Sequence, residues 1–272
     1  TNRVQWLTTM FATAKIGAVM VTVNTNYKRF ELEYLLRQSD SMTLIMIDGM
    51  KDTNDYFRYL SEIAPELATC EPGKLECKAL PYLKNVIRIS KEPSPGTFLW
   101  GDLYALSDRV SEEELEARQS SLSPQEVVNM QYTSGTTGFP KGVMLTHHNV
   151  INNGKSIGDR KALTPSDREC IPVPLFHCFG CVLGVTSCVT HGSTMVLVDT
   201  FHPERVLRSV QMERCTSLLG VPTMFISILA LPNFKEFDCS SLRTGIMAGS
   251  PCPTEVMKQV NAELHMPEIT IA

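Results

Sequence analysis

The hydrophobic period of this chain changes back and forth, and that change constrains the fold more than any single residue. From residue 4 to residue 17, Trp6, Leu7, Met10, Phe11 and Ala14 recur at helical spacing and Gly17 supplies a stop; residues 18–23 then read as a buried strand. Residues 29–38 keep Phe30, Leu32, Leu35 and Leu36 on one side, and residues 42–47 form another apolar strand run. The same rhythm returns later, with strands expected near 170–173, 194–198, 216–219, 244–248 and 268–272 and helices near 179–190, 203–214, 221–231 and 254–264. Helix and strand in strict alternation predict parallel sheets covered by helices, a doubly wound α/β fold.

Between these blocks a helix is expected at 52–64, irregular chain at 65–81, a short strand at 85–89 and an exposed helix at 112–118 capped by Ser111. A further helix is expected at 147–161 with Thr146 as its cap. The polar run 162–169, which holds Pro165, is the best candidate for a boundary, so residues 1–163 are expected to form one α/β subdomain and 164–272 a second.

With 272 residues, of which 43% are hydrophobic and 20% charged, the chain is long enough for a large core. A net charge of −4 leaves no basic footprint for nucleic acid or an acidic membrane face, which favours small-molecule chemistry. Residues 171–198 and 215–234 lack Asp, Glu, Lys and Arg, but prolines and turn signals break both, so they read as buried core and no membrane span is expected. Nine scattered cysteines suit reduced thiols in a cytoplasm, or alternatively in a mitochondrial matrix, without a structural disulfide. No targeting segment is visible at the start, which is Thr1, and oligomeric state is not legible.

Against this background one stretch stands out: Tyr132-Thr133-Ser134-Gly135-Thr136-Thr137-Gly138-Phe139-Pro140-Lys141-Gly142. Its glycines leave backbone N–H groups unshielded, its hydroxyls add donors, and Lys141 brings a full positive charge, so it reads as a cradle for a polyanion such as a phosphate chain. It is not a P-loop, because Pro140 stands where that motif needs glycine and Gly142 where it needs a hydroxyl. Strand-prone runs on both sides make it a strand-to-strand connection.

The stretch resembles the ATP-phosphate loop of the adenylate-forming, AMP-binding superfamily, which includes acyl-CoA synthetases, luciferases and peptide-synthetase adenylation domains. That resemblance implies a large N-terminal region of two similar α/β subdomains with the site between them. It also implies that Thr133, Ser134, Gly135, Thr136, Thr137, Gly138 and Lys141 bind the phosphates of ATP, with Thr136 and Thr137 near Mg2+. Pro174-Leu175-Phe176-His177-Cys178-Phe179-Gly180 resembles the superfamily's substrate-side motif, which makes His177 and Phe179 acyl-binding candidates, and Gly220-Val221-Pro222-Thr223 resembles the segment lining the acyl side of the pocket, which adds Val221; as a plain residue in an apolar run His177 reads as a hydrogen-bonded core histidine. Gly249, Ser250 and Pro251 resemble the segment whose backbone lies along adenine. The pairs Cys178-x-x-Cys181 and Cys188-x-x-His191 have zinc-like spacing, but the apolar chain between them lacks the polar turns of a structural zinc site.

Taken together these motifs look most like the medium- and long-chain fatty acyl-CoA synthetases, with fatty acid, ATP and CoA as substrates. The resemblance leaves open an adenylating enzyme with another acceptor, such as a carrier protein, or a non-catalytic fragment that binds nucleotide or acyl ligand. The chain ends at Ala272, where the family's Tyr-Gly-x-Thr-Glu motif is expected to begin. The Mg2+-binding carboxylate, the catalytic lysine and the C-terminal domain therefore have no counterpart in these residues, and by themselves they are expected to be inactive.

Overall fold

A computed structural model describes residues 1–50, 54–133 and 140–272. Helix α1, Val4–Ile16, ends as expected on Gly17, whose φ of 70° is open to glycine at low cost. Strand β1 (Met20–Val21), helix α2 (Arg29–Gln38), the strands β2 (Thr43–Met46), β3 (Gly49–Met50) and β4 (Asn54–Asp55), and helix α3 (Tyr56–Ile63) follow. Strands β5 (Asn85–Arg88) and β6 (Phe98–Leu99) precede α4 (Asp102–Ala105) and α5 (Glu112–Ser120). Ser111 caps α5 through a reciprocal pair, its hydroxyl accepting from the Glu114 N–H while the Glu114 carboxylate accepts from the Ser111 N–H.

Strands β7 (Val127–Thr133) and β8 (Lys141–Thr146) flank the glycine-rich loop and share a sheet with β1 in the order β1–β7–β8. Helix α6 (His147–Arg160) starts at Thr146, whose Oγ1 accepts from the Asn149 N–H at 3.1 Å. Strand β9 (Arg168–Ile171), a π-helix over Phe179–Thr186 and helix α7 (Ser187–His191) come next. The remaining elements are β10 (Thr194–Leu197), α8 (Pro203–Glu213), β11 (Ser217–Gly220), α9 (Pro222–Leu229), β12 (Thr244–Met247), α10 (Thr254–Glu263) and β13 (Glu268–Ile271).

The chain divides into two compact units. The first comprises Thr1–Met20, Ser123–Gln131 and Val143–Ala272 and is built on a parallel sheet of order β10–β9–β11–β12–β13. Side chains alternate between its faces. Cys170, Leu218 and Met247 enter a core with Val206, Leu207 and Val210 of α8 and Val260 of α10, whereas Ile171, Leu219 and Ile246 enter one with Met10 of α1, Val150 of α6 and Val185 of the π-helix. Burial on both faces is why the strands read as unbroken apolar runs.

The boundary expected near residue 163 falls inside this unit, and the polar run around it is tied in by charge. The Lys161 ammonium and Glu169 carboxylate pair with no side-chain exposure. Lys161 Nζ also donates to Ser187 Oγ at 3.1 Å, and Ser217 Oγ donates to Glu169 at 2.8 Å. Arg243 at the start of β12 reaches Asp167 at 2.9 Å and Glu268 at 2.6 Å and donates to the carbonyl of Ala162 at 2.7 Å.

The second unit comprises Val21–Leu122 and Tyr132–Gly142 and centres on the parallel sheet β2–β5–β6. Leu32, Leu35 and Leu36 of α2 and Leu60 and Ile63 of α3 pack with Leu44 and Val86 from the sheet. The stretch expected to be irregular connection has little regular structure, yet it lends Leu67, Leu75, Leu80 and Leu83 to the same core. Arg88 is buried, with its guanidinium 4.0 Å from the Phe57 ring centre and 2.6 Å from Asp48. Burial pushes the Asp48 carboxyl up, but hydrogen bonds from Arg88 and Ser90 outweigh it and leave the group below its usual range.

Candidate functional site

The glycine-rich loop is anchored at both flanks within the second unit. Tyr132 at its entry hydrogen-bonds Gln38, and at its exit the Pro140 carbonyl accepts from Tyr34 Oη at 3.2 Å. Tyr34 and Gln38 lie one helical turn apart on α2, so a single helix face fixes both ends of the connection. Thr133 ends β7 and Lys141 begins β8, both exposed. Ser134, Gly135, Thr136, Thr137 and Gly138 lie outside the described residues, as do the hydroxyls expected near Mg2+.

The remaining candidates gather within the first unit, at the carboxyl end of its parallel sheet. From β9 the chain leaves through the π-helix and α7 to β10 on one side, and from β10 it returns through α8 to β11 on the other side of β9. Between β9 and β11 the connections therefore diverge, the place where an open parallel sheet leaves a crevice for a ligand. His177 follows β9, Val221 follows β11, and Gly249, Ser250 and Pro251 follow β12, the next strand along.

His177 sits at the mouth of the π-helix. Its carbonyl accepts from the N–H groups of Gly180 and Cys181 at 2.9 and 3.1 Å, and its ring Nδ1 accepts from the Phe179 N–H at 3.1 Å. A ring nitrogen that accepts is unprotonated, so the neutral imidazole carries its proton on Nε2 and offers a hydrogen-bond donor there. The residue is exposed, yet the protein around its ring desolvates it and lowers its pKa from 6.5. Gly180 permits the arrangement, because a Cβ there would come within 2.4 Å of the Pro174 carbonyl oxygen. Phe179 is buried beneath the helix start.

Val221 is the extended residue before α9, and its Cγ1 lies 3.1 Å from where a Cβ on Gly249 would stand. Gly249 has a φ of 88°, a conformation glycine adopts readily, and together with Ser250 and Pro251 it forms an exposed corner. Val221 and the Gly249 corner are thus direct neighbours.

The cysteine pairs with zinc-like spacing go to separate partners. Cys181 accepts from Gln131 Nε2 at 3.4 Å, Cys188 faces Glu169, Cys178 lies 3.6 Å from His177 Nδ1, and His191 meets Asp159 at 3.2 Å. Burial pushes the Cys181 thiol to about 12, which opposes the thiolate that a metal requires. Among the described residues no three metal-ligating side chains gather, and no helix is long and apolar enough to cross a membrane.

Sequence reasoning missed Tyr34 and Gln38, whose spacing on α2 was a readable signal.

The parallel sheet of the first unit, with diverging connections at the carboxyl edge where His177 and the Gly249 corner stand, has the architecture of a ligand-binding α/β domain. The chain belongs to the AMP-binding enzyme family, whose model matches residues 1–271. It is 55% identical over its full length to YngI of Bacillus subtilis, named as a candidate acyl-CoA synthetase, and covers 49% of that protein. It is 43% identical to the acyl-CoA ligase SID4 of Ajellomyces capsulatus over 99% of the chain and 44% of that protein. With the human mitochondrial medium-chain acyl-CoA ligase ACSF2 it shares 37% identity over its full length and 45% of the relative. The chain thus spans about half the length of the curated relatives it matches.

Solved structures agree on the fold. The anthranilate CoA ligase AuaEII in complex with anthranoyl-AMP superposes with a TM-score of 0.79 at 23% identity, over 100% of this chain and 48% of that one. The N-terminal domain of FACL13 from Mycobacterium tuberculosis gives 0.71 at 21% identity, over 99% of this chain and 59% of that one.

Proposed function

We propose that the full-length protein is an acid–thiol ligase that activates a medium- or longer-chain fatty acid with ATP and transfers it to CoA. The observation that carries the reading is the family match over residues 1–271, with acyl-CoA ligases among the relatives. In the first half-reaction a carboxylate oxygen attacks the α-phosphorus of ATP, the bond to the bridging oxygen breaks, and pyrophosphate leaves with the electron pair. In the second, the CoA sulfur attacks the acyl carbon, AMP departs with its oxygen, and the thiol proton is lost. Such reactions are accelerated mainly by positioning and by charge stabilisation.

In this reading Thr133, Ser134, Gly135, Thr136, Thr137, Gly138 and Lys141 would hold the ATP phosphates, and Thr136 and Thr137 would stand nearest to Mg2+, whose chemistry there would be neutralisation of phosphate charge. His177 Nε2–H donates to the acyl carboxylate, with Phe179 and Val221 along the acyl chain and Gly249, Ser250 and Pro251 beside adenine. The nine free thiols support a reducing compartment such as the cytoplasm.

The test is pyrophosphate release by the full-length protein with octanoate and longer acids. Acid-dependent release is expected, and its absence with every acid would end the ligase reading. Lys141→Met keeps the apolar stem and removes a charge-assisted contact of about 1.5–3 kcal/mol, an expected loss of roughly ten- to hundredfold in ATP-dependent rate. A well-folded variant with unchanged ATP dependence would show that the phosphate site lies elsewhere.

A further inference from the structure

Strand β9 cannot continue its ladder beyond Ile171, because Pro172 and Pro174 have no N–H to donate. The pairing with β10 ends at Ile171 opposite Leu197, yet the next residues must run in a defined direction to bring His177 to the edge of the sheet. One side chain replaces the missing strand partner. Asn2 is 6% exposed; its Nδ2 donates to the carbonyls of Ile171 at 3.1 Å and Val173 at 2.9 Å, while its Oδ1 accepts from the Leu175 N–H at 3.0 Å. Only this orientation of the amide works, since turning it over would set its oxygen against two carbonyls and its NH2 against an N–H. The Asn2 backbone N–H donates to Asp199 just past β10 at 3.0 Å, so the amide is held against the same sheet edge.

From there the chain to His177 is short and rigid. With Leu175 held by Asn2, the His177 N–H closes a turn onto the Pro174 carbonyl at 3.2 Å, and the π-helix starts so close that Gly180 has no room for a Cβ beside Pro174 and Leu175.

We infer that Asn2 is a positioning residue for the acyl site, acting through residues 171–175 to set where His177 points its Nε2–H. The inference rests on the acyl-carboxylate role proposed for His177. It accounts for an asparagine rather than a similar-sized leucine at this buried point: the Ile171 carbonyl also accepts from the Val198 N–H at 3.3 Å, but the Val173 carbonyl and the Leu175 N–H have Asn2 as their partner and would otherwise be left to pair away from water.

The experiment is a double-mutant cycle in the full-length protein with Asn2→Ala, His177→Ala and the pair, reading KM for octanoate, KM for ATP and kcat. Asn2→Ala is expected to raise the KM for the acid about tenfold and the KM for ATP less than about twofold, and to add little once His177 is alanine. Additive effects, or equal loss for acid and ATP, would overturn the inference. If His177→Ala itself leaves the acid KM unchanged in an active enzyme, the proposed role of His177 fails, and the inference built on it falls with it. If Asn2→Ala does not accumulate folded, Asn2→Asp serves in its place, keeping the shape and the acceptor for Leu175 while setting charge against the two carbonyls. The same selective rise in acid KM is expected from it. A wild-type acid KM, or failure of both variants to fold, would make Asn2 a residue of the fold and not of the site.

Discussion

At the scale of single residues, His177 shows how a helix terminus selects a tautomer. The Phe179 N–H belongs to the first turn of the π-helix, where amide hydrogens lack intrahelical partners and favour an acceptor. Protonating the ring would turn Nδ1 into a donor facing a donor, and desolvation opposes the charge as well, so the folded pKa lies below 6.5. In linkage terms the unfolded chain then binds the proton more readily than the folded one. The contribution to stability is level above pH 6.5 and turns unfavourable as pH falls below it. The functional consequence is that the neutral Nε2–H donor persists through pH 6.5. A pH profile of KM for the acid is expected to stay flat across that value and to break only below it. A break at or above 6.5 that vanishes in His177→Gln would contradict this account.

At the scale of elements, α6 shows that a poor helix former can be the right residue. Val150, Gly154 and Gly158 form its buried stripe. A Cβ on Gly154 would lie 2.6 Å from Thr186 Cβ and 2.9 Å from its backbone carbon, and one on Gly158 would meet the His191 ring at 2.2 Å. The glycines let α6 lie directly against the π-helix and α7. On an open helix surface Gly→Ala gains about 1 kcal/mol from propensity. Here Gly154→Ala is expected instead to destabilise by about 1–3 kcal/mol through overpacking against atoms that cannot turn away. Exposed Asn153→Ala on the same helix should be neutral or stabilising by about 0.5 kcal/mol. Thermal melting of the two variants in the full-length protein separates these outcomes, and a stabilised Gly154→Ala would refute the close contact.

At the scale of the molecule, the Lys161–Glu169 pair binds the end of α6 to β9, α7 and β11 in the first unit. A buried ion pair is a weak source of net stability, yet removing one partner strands the other charge away from water. Lys161→Met is therefore expected to cost about 3–5 kcal/mol, and Lys161→Met with Glu169→Leu to recover much of it because both charges are gone. Urea unfolding followed by a probe in the first unit measures both; a single variant as stable as wild type would mean that the pair is not closed in solution.

Much of the architecture was legible because it is local chemistry. The alternation of periods, Gly17 ending α1, Ser111 and Thr146 starting their helices, and apolar runs such as Leu218–Leu219 each declare an element through neighbours in the chain. The strand-prone runs on either side of residues 134–139 were equally readable. What the tertiary structure alone decided concerns polar groups whose partners are distant in sequence. Residues 162–169 look like a solvated boundary, but Asp167 and Glu169 are buried because Arg243 and Lys161 come to meet them. Asn2 looks like a polar residue at the head of a helix, and only folding sets its amide against carbonyls some 170 positions away. Hydrophobic period records which side of an element turns inward, and for that reason the sheet and its helices could be read; a buried hydrogen bond depends on where two separate segments meet, and no single stretch of sequence carries that.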